Sequence, residues 1–589
     1  MDALARDTPH PARPFQWTGL PTAVVGRREV WMDVQGVAIH GTWFTPKRVQ
    51  KSVGILVIGG IAHEEQTMSL GLVALSRALA AQSNPVLLVE LSGTAQSAEY
   101  TAGNNQAEQW QSEIRAGAEA LHRIGCDRLV VVAARHGALL AAAAFAESPV
   151  SHLVVWSPVL SGRRSVKEMR LLQSTSGEDH VESYPGITIG GSTLTPDQLD
   201  SLKRLEFGSG LSIPAEQITI FEAPERVTML KSRIAEHLWP RVTFIAAPET
   251  DRWLLAPSDL SVVPFDDFDI LLALLAGNTA TDGSTTDGSE SNESESDTSE
   301  STTVLLHRGV AIRETFLRFG SFSLGAVLSE PVSPDSCSES AGQTAVKGHN
   351  SATVAVSTVG PGRLLLDFAR GEAARGRPCL RFDLSGFGLS DFRTQGAWAD
   401  HYDHHSEAEI DEAVQELVRR GYTSISVLGY CSGAWAALHT TVVPELHSIV
   451  AINPQMYVRG RFFRRKFWPG LKLHDQLIAH LCAVPVVKRA LIALEVRTPF
   501  ASPMERQLRT HSERGTAVWL LFGSEDFGLK YLSGRAGRVL RARGDRHAVE
   551  VREFTGLGHL PGGPTRDRML DEIHEILDRA DNEPGSITR

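Results

Sequence analysis

One pentapeptide constrains this chain more than any other feature: Gly429-Tyr430-Cys431-Ser432-Gly433. It follows Ser424-Ile425-Ser426-Val427-Leu428, an apolar run that reads as a strand. It precedes Ala434-Trp435-Ala436-Ala437-Leu438-His439, which reads as the start of a helix. A chain passing from strand to helix through these five residues must turn sharply. The two glycines leave room where a Cβ would clash. The central residue then stands on a strained apex at the head of a helix, where a nucleophile is presented. Centring the frame on Ser432 would put Tyr430 and Ala434 at the small-residue positions, so Cys431 takes the apex. The competing reading is a buried structural cysteine at a strand end.

At 589 residues the chain is too long for one ordinary core, and two or more domains are expected. Residues 279–303 are almost entirely Thr, Ser, Gly, Asp, Glu and Asn. Such a stretch cannot bury enough apolar area to offset its chain entropy, and it reads as a disordered acidic linker. Its flanks repeat one order. In the first, a strand pair at 31–44 leads to Val53-Gly54-Ile55-Leu56-Val57-Ile58, a helix at 70–81, a strand at 85–91, a helix at about 106–124 and Leu129-Val130-Val131-Val132-Ala133. In the second, a strand pair at 304–328 leads to Val354-Ala355-Val356-Ser357, a helix around 363–374, a strand at 378–384, a helix at 406–420 and the strand before Cys431. Alternating strands and helices imply mostly parallel sheets flanked by helices. The expected organisation is two tandem α/β-hydrolase-like domains, 1–278 and 304–589, joined by the linker. The loop Ser385-Gly386-Phe387-Gly388-Leu389-Ser390 has a first-half counterpart in Ser92-Gly93-Thr94-Ala95-Gln96-Ser97.

A cysteine nucleophile needs a base and an acid that orients it. This fold supplies them in the order nucleophile, acid, histidine. Val518-Trp519-Leu520-Leu521-Phe522-Gly523 reads as a strand ending in Ser524-Glu525-Asp526, and the strand at 549–554 runs into Thr555-Gly556-Leu557-Gly558-His559-Leu560. Asp526 and His559 therefore fall where the acid and base belong, with Glu525 as the alternative acid. An oxyanion hole needs two backbone N–H groups. One belongs to Ser432, and the other to Val359 or Gly360 in the loop after the strand at 354–357. An insertion at about 454–515 occupies the place of a lid. It carries Arg461, Arg464, Arg465, Lys466 and Trp468, an interleaving suited to a carboxylate, the phosphate of a CoA or acyl-carrier arm, or an anionic membrane surface. An amphipathic helix with solvated charges accounts for them equally well.

The equivalent first-half turn is Ala133-Ala134-Arg135-His136-Gly137. Arginine cannot act as a nucleophile at ordinary pH. No histidine follows the late strand Val242-Thr243-Phe244-Ile245-Ala246. The first half is thus expected to bind, gate or scaffold. Gly59-Gly60-Ile61-Ala62-His63-Glu64-Glu65 is polar enough for a separate site, although a capped helix start also explains it.

A net charge of -11 argues against nucleic-acid binding. Five scattered cysteines suggest reduced thiols in a cytoplasmic setting. The N-terminus shows no apolar signal core, and no apolar run approaches the roughly 18–20 residues that span a bilayer. The expected partner is a small acyl ester or thioester; no cofactor or metal is expected.

The first half resembles the exosortase-associated hydrolase-like proteins encoded beside bacterial exopolysaccharide genes. The resemblance lies in Ala62-His63-Glu64-Glu65, Arg135-His136-Gly137-Ala138-Leu139-Leu140, Trp156-Ser157-Pro158-Val159-Leu160-Ser161-Gly162-Arg163-Arg164 and Gly186-Ile187-Thr188-Ile189-Gly190-Gly191-Ser192-Thr193-Leu194. The second half resembles α/β-hydrolases of the serine aminopeptidase and lysophospholipase type, through Arg381-Phe382-Asp383-Leu384 and Gly429-Tyr430-Cys431-Ser432-Gly433-Ala434. Its cysteine-centred box is also similar to those of polyhydroxyalkanoate synthases and dienelactone hydrolases. These likenesses imply the hydrolase fold; acyl chemistry on the second half, by hydrolysis or transfer, is expected because a Cys431 thiolate attacks activated carbonyls and its thioester passes readily to another nucleophile.

Overall fold

The computed structural model describes residues 25–46, 53–99, 105–175, 185–208, 212–255, 262–279, 301–332, 350–391, 405–441, 443–454, 503–524, 526, 528–529, 549–555 and 562–582. The first half runs β1 (Val25–Val34), β2 (Val37–Pro46), β3 (Val53–Ile58), α1 (His63–Ala81), β4 (Val86–Val89), α2 (Gln106–Arg123), β5 (Arg128–Ala134), α3 (Arg135–Ala144), β6 (Val150–Trp156) and α4 (Gly162–Thr175). A small hairpin of β7 (Ile187–Ile189) and β8 (Ser192–Leu194) follows, then α5 (Pro196–Leu202), β9 (Ala215–Glu222), α6 (Val227–Lys231), β10 (Val242–Ala246), α7 (Thr250–Leu254) and α8 (Phe265–Thr279). The sheet order is β1-β2-β4-β3-β5-β6-β9-β10. β2 is antiparallel to both its neighbours, and β4 onward is parallel.

The second half runs β11 (Ser301–His307), β12 (Val310–Phe319), β13 (Leu324–Pro331), β14 (Ser351–Val356), α9 (Leu364–Ala374), β15 (Cys379–Phe382), α10 (Ser406–Arg419), β16 (Ser424–Tyr430), α11 (Ser432–Ala437), β17 (Leu446–Ile452), α12 (Pro503–Glu513), β18 (Ala517–Gly523), β19 (Val549–Phe554) and α13 (Gly563–Asn582). Its order is β11-β12-β13-β15-β14-β16-β17-β18-β19. Without the edge strand β11, this is the first sheet's order again. Both are the mostly parallel α/β-hydrolase sheet. The expected strand pair at 304–328 is thus three strands. The third was hidden because Ser301-Thr302-Thr303 continues the polar run of the preceding segment, so β11 begins three residues inside the span read as linker.

The parallel strands are apolar throughout because both faces are covered. Along β3, Leu56 and Ile58 face Trp110, Ile114, Leu121 and Leu139 of α2 and α3. Ile55 and Val57 face Met68, Leu72 and Leu75 of α1 and Phe268 and Leu271 of α8. The second sheet repeats the arrangement. Val427 packs with Ile410, Val414 and Leu417 of α10, and Leu428 with Leu365 and Phe368 of α9 and Ile573 and Ile576 of α13. Among the described residues no helix is long and apolar enough to cross a membrane.

The halves meet through reciprocal contacts. The loop after β4 offers the Gln96 and Ser97 carbonyls to Arg370 of α9 (2.7 and 3.3 Å). The equivalent loop after β15 offers the Gly388 carbonyl to Arg27 of β1 (3.0 Å) and the Asp391 carboxylate to Arg77 of α1. Arg370 also grips Glu314 with two bonds, at 3.1 and 2.8 Å. Arg381 binds the same carboxylate at 2.6 Å and the Gln96 amide oxygen at 2.7 Å. All three charged side chains are fully buried. Burial alone would raise the Glu314 pKa; the Arg370 and Arg381 guanidiniums reverse this and hold it at about 2. Such a triad tolerates no missing partner, because the survivor would be a buried unpaired charge.

Candidate functional site

The turn after β16 has the predicted geometry. Cys431 sits at φ 50° and ψ −109°, immediately before α11. For a non-glycine residue this is strained backbone that persists only where its surroundings enforce it. Several contacts do so. Cys431 N–H donates to the Ile452 carbonyl at 2.9 Å, and its carbonyl accepts from Trp435 N–H at 3.0 Å. A Cβ on Gly429 would lie 2.4 Å from the Gly433 carbonyl oxygen, and one on Gly433 would lie 3.1 Å from Val356 Cγ1. Packing therefore requires glycine at 429 and leaves little room beside Gly433. Cys431 is half-buried, whereas Cys126 and Cys379 are buried. Burial pushes the Cys126 thiol up to about 11 and Cys379 well above the ordinary thiol value.

Of the other predicted residues, Asp526, Ser432, Val359 and Gly360 follow the same ends of their strands as Cys431 does. Asp526 follows β18, buried, with its N–H on the Gly523 carbonyl (2.9 Å) and its Oδ1 accepting from Gly528 N–H (2.6 Å). Ser432 is the first residue of α11, and Val359 and Gly360 follow β14. Gly360 N–H donates to Ser357 Oγ at 3.3 Å, while the Val359 carbonyl accepts from Leu365 and Leu366 at the start of α9. His559, Glu525 and the lid residues Arg461, Arg464, Arg465, Lys466 and Trp468 lie outside the described residues. Of the insertion at 454–515, α12 is described. Leu508 is buried there, and His511 Nε2 bonds the Leu438 carbonyl at 3.1 Å.

Asp383, at the end of β15, was not singled out from the sequence as a site residue. Its carboxylate accepts from Thr358 N–H (2.9 Å), Thr358 Oγ1 (2.6 Å) and Leu389 N–H (3.0 Å). It thereby ties the loop after β14 to the loop after β15. The signal available was an aspartate closing a strand just before Ser385-Gly386-Phe387-Gly388-Leu389-Ser390.

The first-half turn preserves the shape and fills it. Arg135 has φ 51°, matching Cys431. Its Nε donates to Glu64 Oε1 at 3.2 Å and its Nη1 to the Ser157 carbonyl at 3.4 Å. The N–H of His136, equivalent to that of Ser432, donates to Glu64 Oε2 at 3.3 Å. A side-chain carboxylate thus takes the N–H that corresponds to that of Ser432. His136 and Arg135 overcome the effect of burial and hold Glu64 at about 2. His136 extends the cluster, with Nδ1 2.9 Å from Glu64 Oε2 and Nε2 2.7 Å from Ser165 Oγ. This serine–histidine–carboxylate chain joins Ser165 of α4, His136 of α3 and Glu64 of α1, all three buried, and the His136 N–H is already given to Glu64, so the cluster plugs the turn. The segment 59–65 is not a side-chain-capped helix start: Ala62 caps α1 without a side-chain bond, and Glu64 is turned to Arg135 and His136. The acid and histidine places are filled similarly. Glu222 ends β9 and Asp251 follows β10, and both hold Arg226, at 2.7 Å each.

No protein-family model matches the chain, and no curated protein matches it closely enough to count as a relative. Solved structures similar to it include Est1E from Butyrivibrio proteoclasticus, 14% identical, with a TM-score of 0.30 over 42% of this chain and 99% of that one. An esterase of Pyrococcus furiosus is 15% identical, with a TM-score of 0.30 over 46% of this chain and 92% of its own. The thioesterase domain from the curacin biosynthetic pathway is 15% identical, with a TM-score of 0.27 over 43% of this chain and 99% of its own.

Proposed function

We propose that the second half is an acyl-handling enzyme that works through an S-acyl intermediate on Cys431, and that the first half is non-catalytic. The observation that carries this reading is the strained φ of Cys431 between two glycines, Gly429 blocked by backbone and Gly433 closely packed, at the head of α11. In this mechanism His559, oriented by Asp526 or by Glu525, takes the thiol proton. The Cys431 thiolate attacks the carbonyl carbon of an ester or thioester, forming a C–S bond. The N–H groups of Ser432 and of Val359 or Gly360 stabilise the oxyanion. The C–O or C–S bond of the substrate then breaks, and its leaving group takes the proton from His559. Water or an acceptor nucleophile attacks the S-acyl carbon and releases Cys431. A thioester passes readily to other nucleophiles, so transfer competes with hydrolysis. Arg461, Arg464, Arg465, Lys466 and Trp468 are assigned to an anionic handle on the substrate, such as the phosphate of CoA or an acyl carrier, or to peripheral contact with an anionic membrane.

A second reading, a non-catalytic tandem pseudo-hydrolase that binds a ligand or partner, is favoured by the Glu64 plug in the first half. Incubation with p-nitrophenyl acetate and short-chain acyl-CoA, read by intact mass, separates the two. An acyl adduct on wild type that is absent from Cys431→Ala supports the enzyme. No adduct from either donor, with no turnover, supports the binding protein.

A further inference from the structure

Resting on the reading of Cys431 as nucleophile, we infer that the β7–β8 hairpin of the first half is a positioning element of the second half's active site, holding its oxyanion loop and the residue that leads into α13. The hairpin is fixed in its own half. Ile187 and Leu194 are buried in the first-half core, and Ser192 Oγ accepts from Gln66 of α1 at 2.9 Å. Its tip reaches across. A Cβ on Gly362, two residues beyond Gly360, would lie 2.1 Å from the Gly191 carbonyl oxygen. A Cβ on Gly562, three residues beyond His559, would lie 2.5 Å from Thr188 Cγ2 and 3.4 Å from Gly191 Cα. One turn thus touches both the exit of the oxyanion loop and the residue that leads into α13.

The oxyanion loop needs such support. Ser357 (φ 112°), Gly360 (φ 70°), Gly362 (φ 54°) and Arg363 (φ 65°) all have positive φ, and two of them are not glycine. Strain of this kind persists only where neighbours over-determine it. Two guanidiniums clamp the loop as well. Arg363 donates to the Ser97 carbonyl at 2.7 Å, a second first-half contact. Arg566, at the start of α13, donates to the Gly362 carbonyl at 2.5 Å and pairs with Asp367. The first half therefore supplies backbone support at the points where a small displacement would move an oxyanion donor.

The test compares two reactions at Cys431. Alkylation by iodoacetamide displaces iodide and forms no oxyanion; acylation by p-nitrophenyl acetate forms one. Arg363→Gln is expected to slow acylation roughly 10–100-fold while changing alkylation less than about 2-fold. Arg363→Lys, which still reaches a carbonyl, recovers part of the acylation rate. Gly562→Ala is expected to slow acylation roughly 10-fold, and Thr188→Ser, which removes the clashing methyl and keeps the hydroxyl, restores it in the double variant. Wild-type acylation rates in Arg363→Gln and Gly562→Ala overturn the inference. So does a parallel fall in both reactions with a lowered melting temperature in every variant, Arg363→Lys included, which would make the contacts merely structural. A wild type that is alkylated but never acylated at Cys431 instead overturns the enzyme reading on which the inference rests.

Discussion

The same backbone strain at Cys431 and Arg135, with φ 50° and 51°, shows what changed between the halves. The turn is the same in both and the apical side chain differs. Cys431 is followed by Ser432, whose N–H the proposed mechanism assigns to the oxyanion, whereas Arg135 is followed by His136, whose N–H is already given to Glu64. This leads to a rate order for iodoacetamide. Cys431 is half-buried, while burial keeps Cys126 and Cys379 as thiols. Cys431 is expected to be labelled first, by peptide mass mapping at pH 7.5, and His559→Ala to slow both its labelling and turnover by roughly 100-fold. Labelling of Cys126 ahead of Cys431 in folded protein would count against the assignment. Arg135→Ala removes a plug and no catalytic group, so acylation of Cys431 is expected to stay within about 2-fold of wild type. A fall of roughly 100-fold without unfolding would place the first half in the chemistry.

Elements were legible in the sequence where burial on both faces made strands apolar, and illegible where contacts are long-range. β3, β5, β14 and β16 announce themselves, and the helices 406–420 and 106–124 match α10 and α2 to within a residue. β11 was missed at its polar start, and β9 was not singled out, because Ala215-Glu216-Gln217 hides its first residues. The Cys431 turn was legible because G-x-C-x-G describes a local steric requirement. The Glu64 plug was not, because it joins α1 to α3 across 71 residues of chain. The β7–β8 hairpin was legible as a motif and silent as to its neighbour. A local prediction follows for the turn. A Cβ on Gly429 would lie 2.4 Å from backbone oxygen that has no room to yield. Gly429→Ala is expected to destabilise the protein by about 2 kcal/mol or more and to abolish acyl trapping, as overpacking against backbone does. Urea titration checks the first effect and intact mass the second.

For the whole molecule, the reciprocal loop-to-helix contacts make the halves behave as two subunits of an isologous dimer carried on one chain. Limited proteolysis is expected to cut first within 280–300, which offers no apolar residue larger than alanine. The two fragments should then co-elute, held by Arg370 and Arg381 on Gln96 and Ser97 and by Arg27 and Arg77 on Gly388 and Asp391; separate elution at low salt would contradict that interface. The second global prediction concerns pH. His40 lies buried near the same junction, with Phe316 of the second half 4.7 Å from its ring. Its Nδ1 is 2.7 Å from Glu90 and its Nε2 2.9 Å from Glu29, which in turn pairs with Arg27. Burial alone would lower its pKa; the Glu90 and Glu29 carboxylates raise it to about 9, against 6.5 for an exposed histidine. The folded state therefore holds a proton that the unfolded chain releases above pH 6.5. The stabilisation is complete below that value and disappears as pH rises through about 9, a change of about 3 kcal/mol at most. Wild type is expected to lose urea resistance between pH 6.5 and 9.5, while His40→Gln, which keeps a donor but cannot titrate, shows a flatter profile. Equal slopes for the two proteins would mean that the His40 charge contributes nothing to holding the fold together.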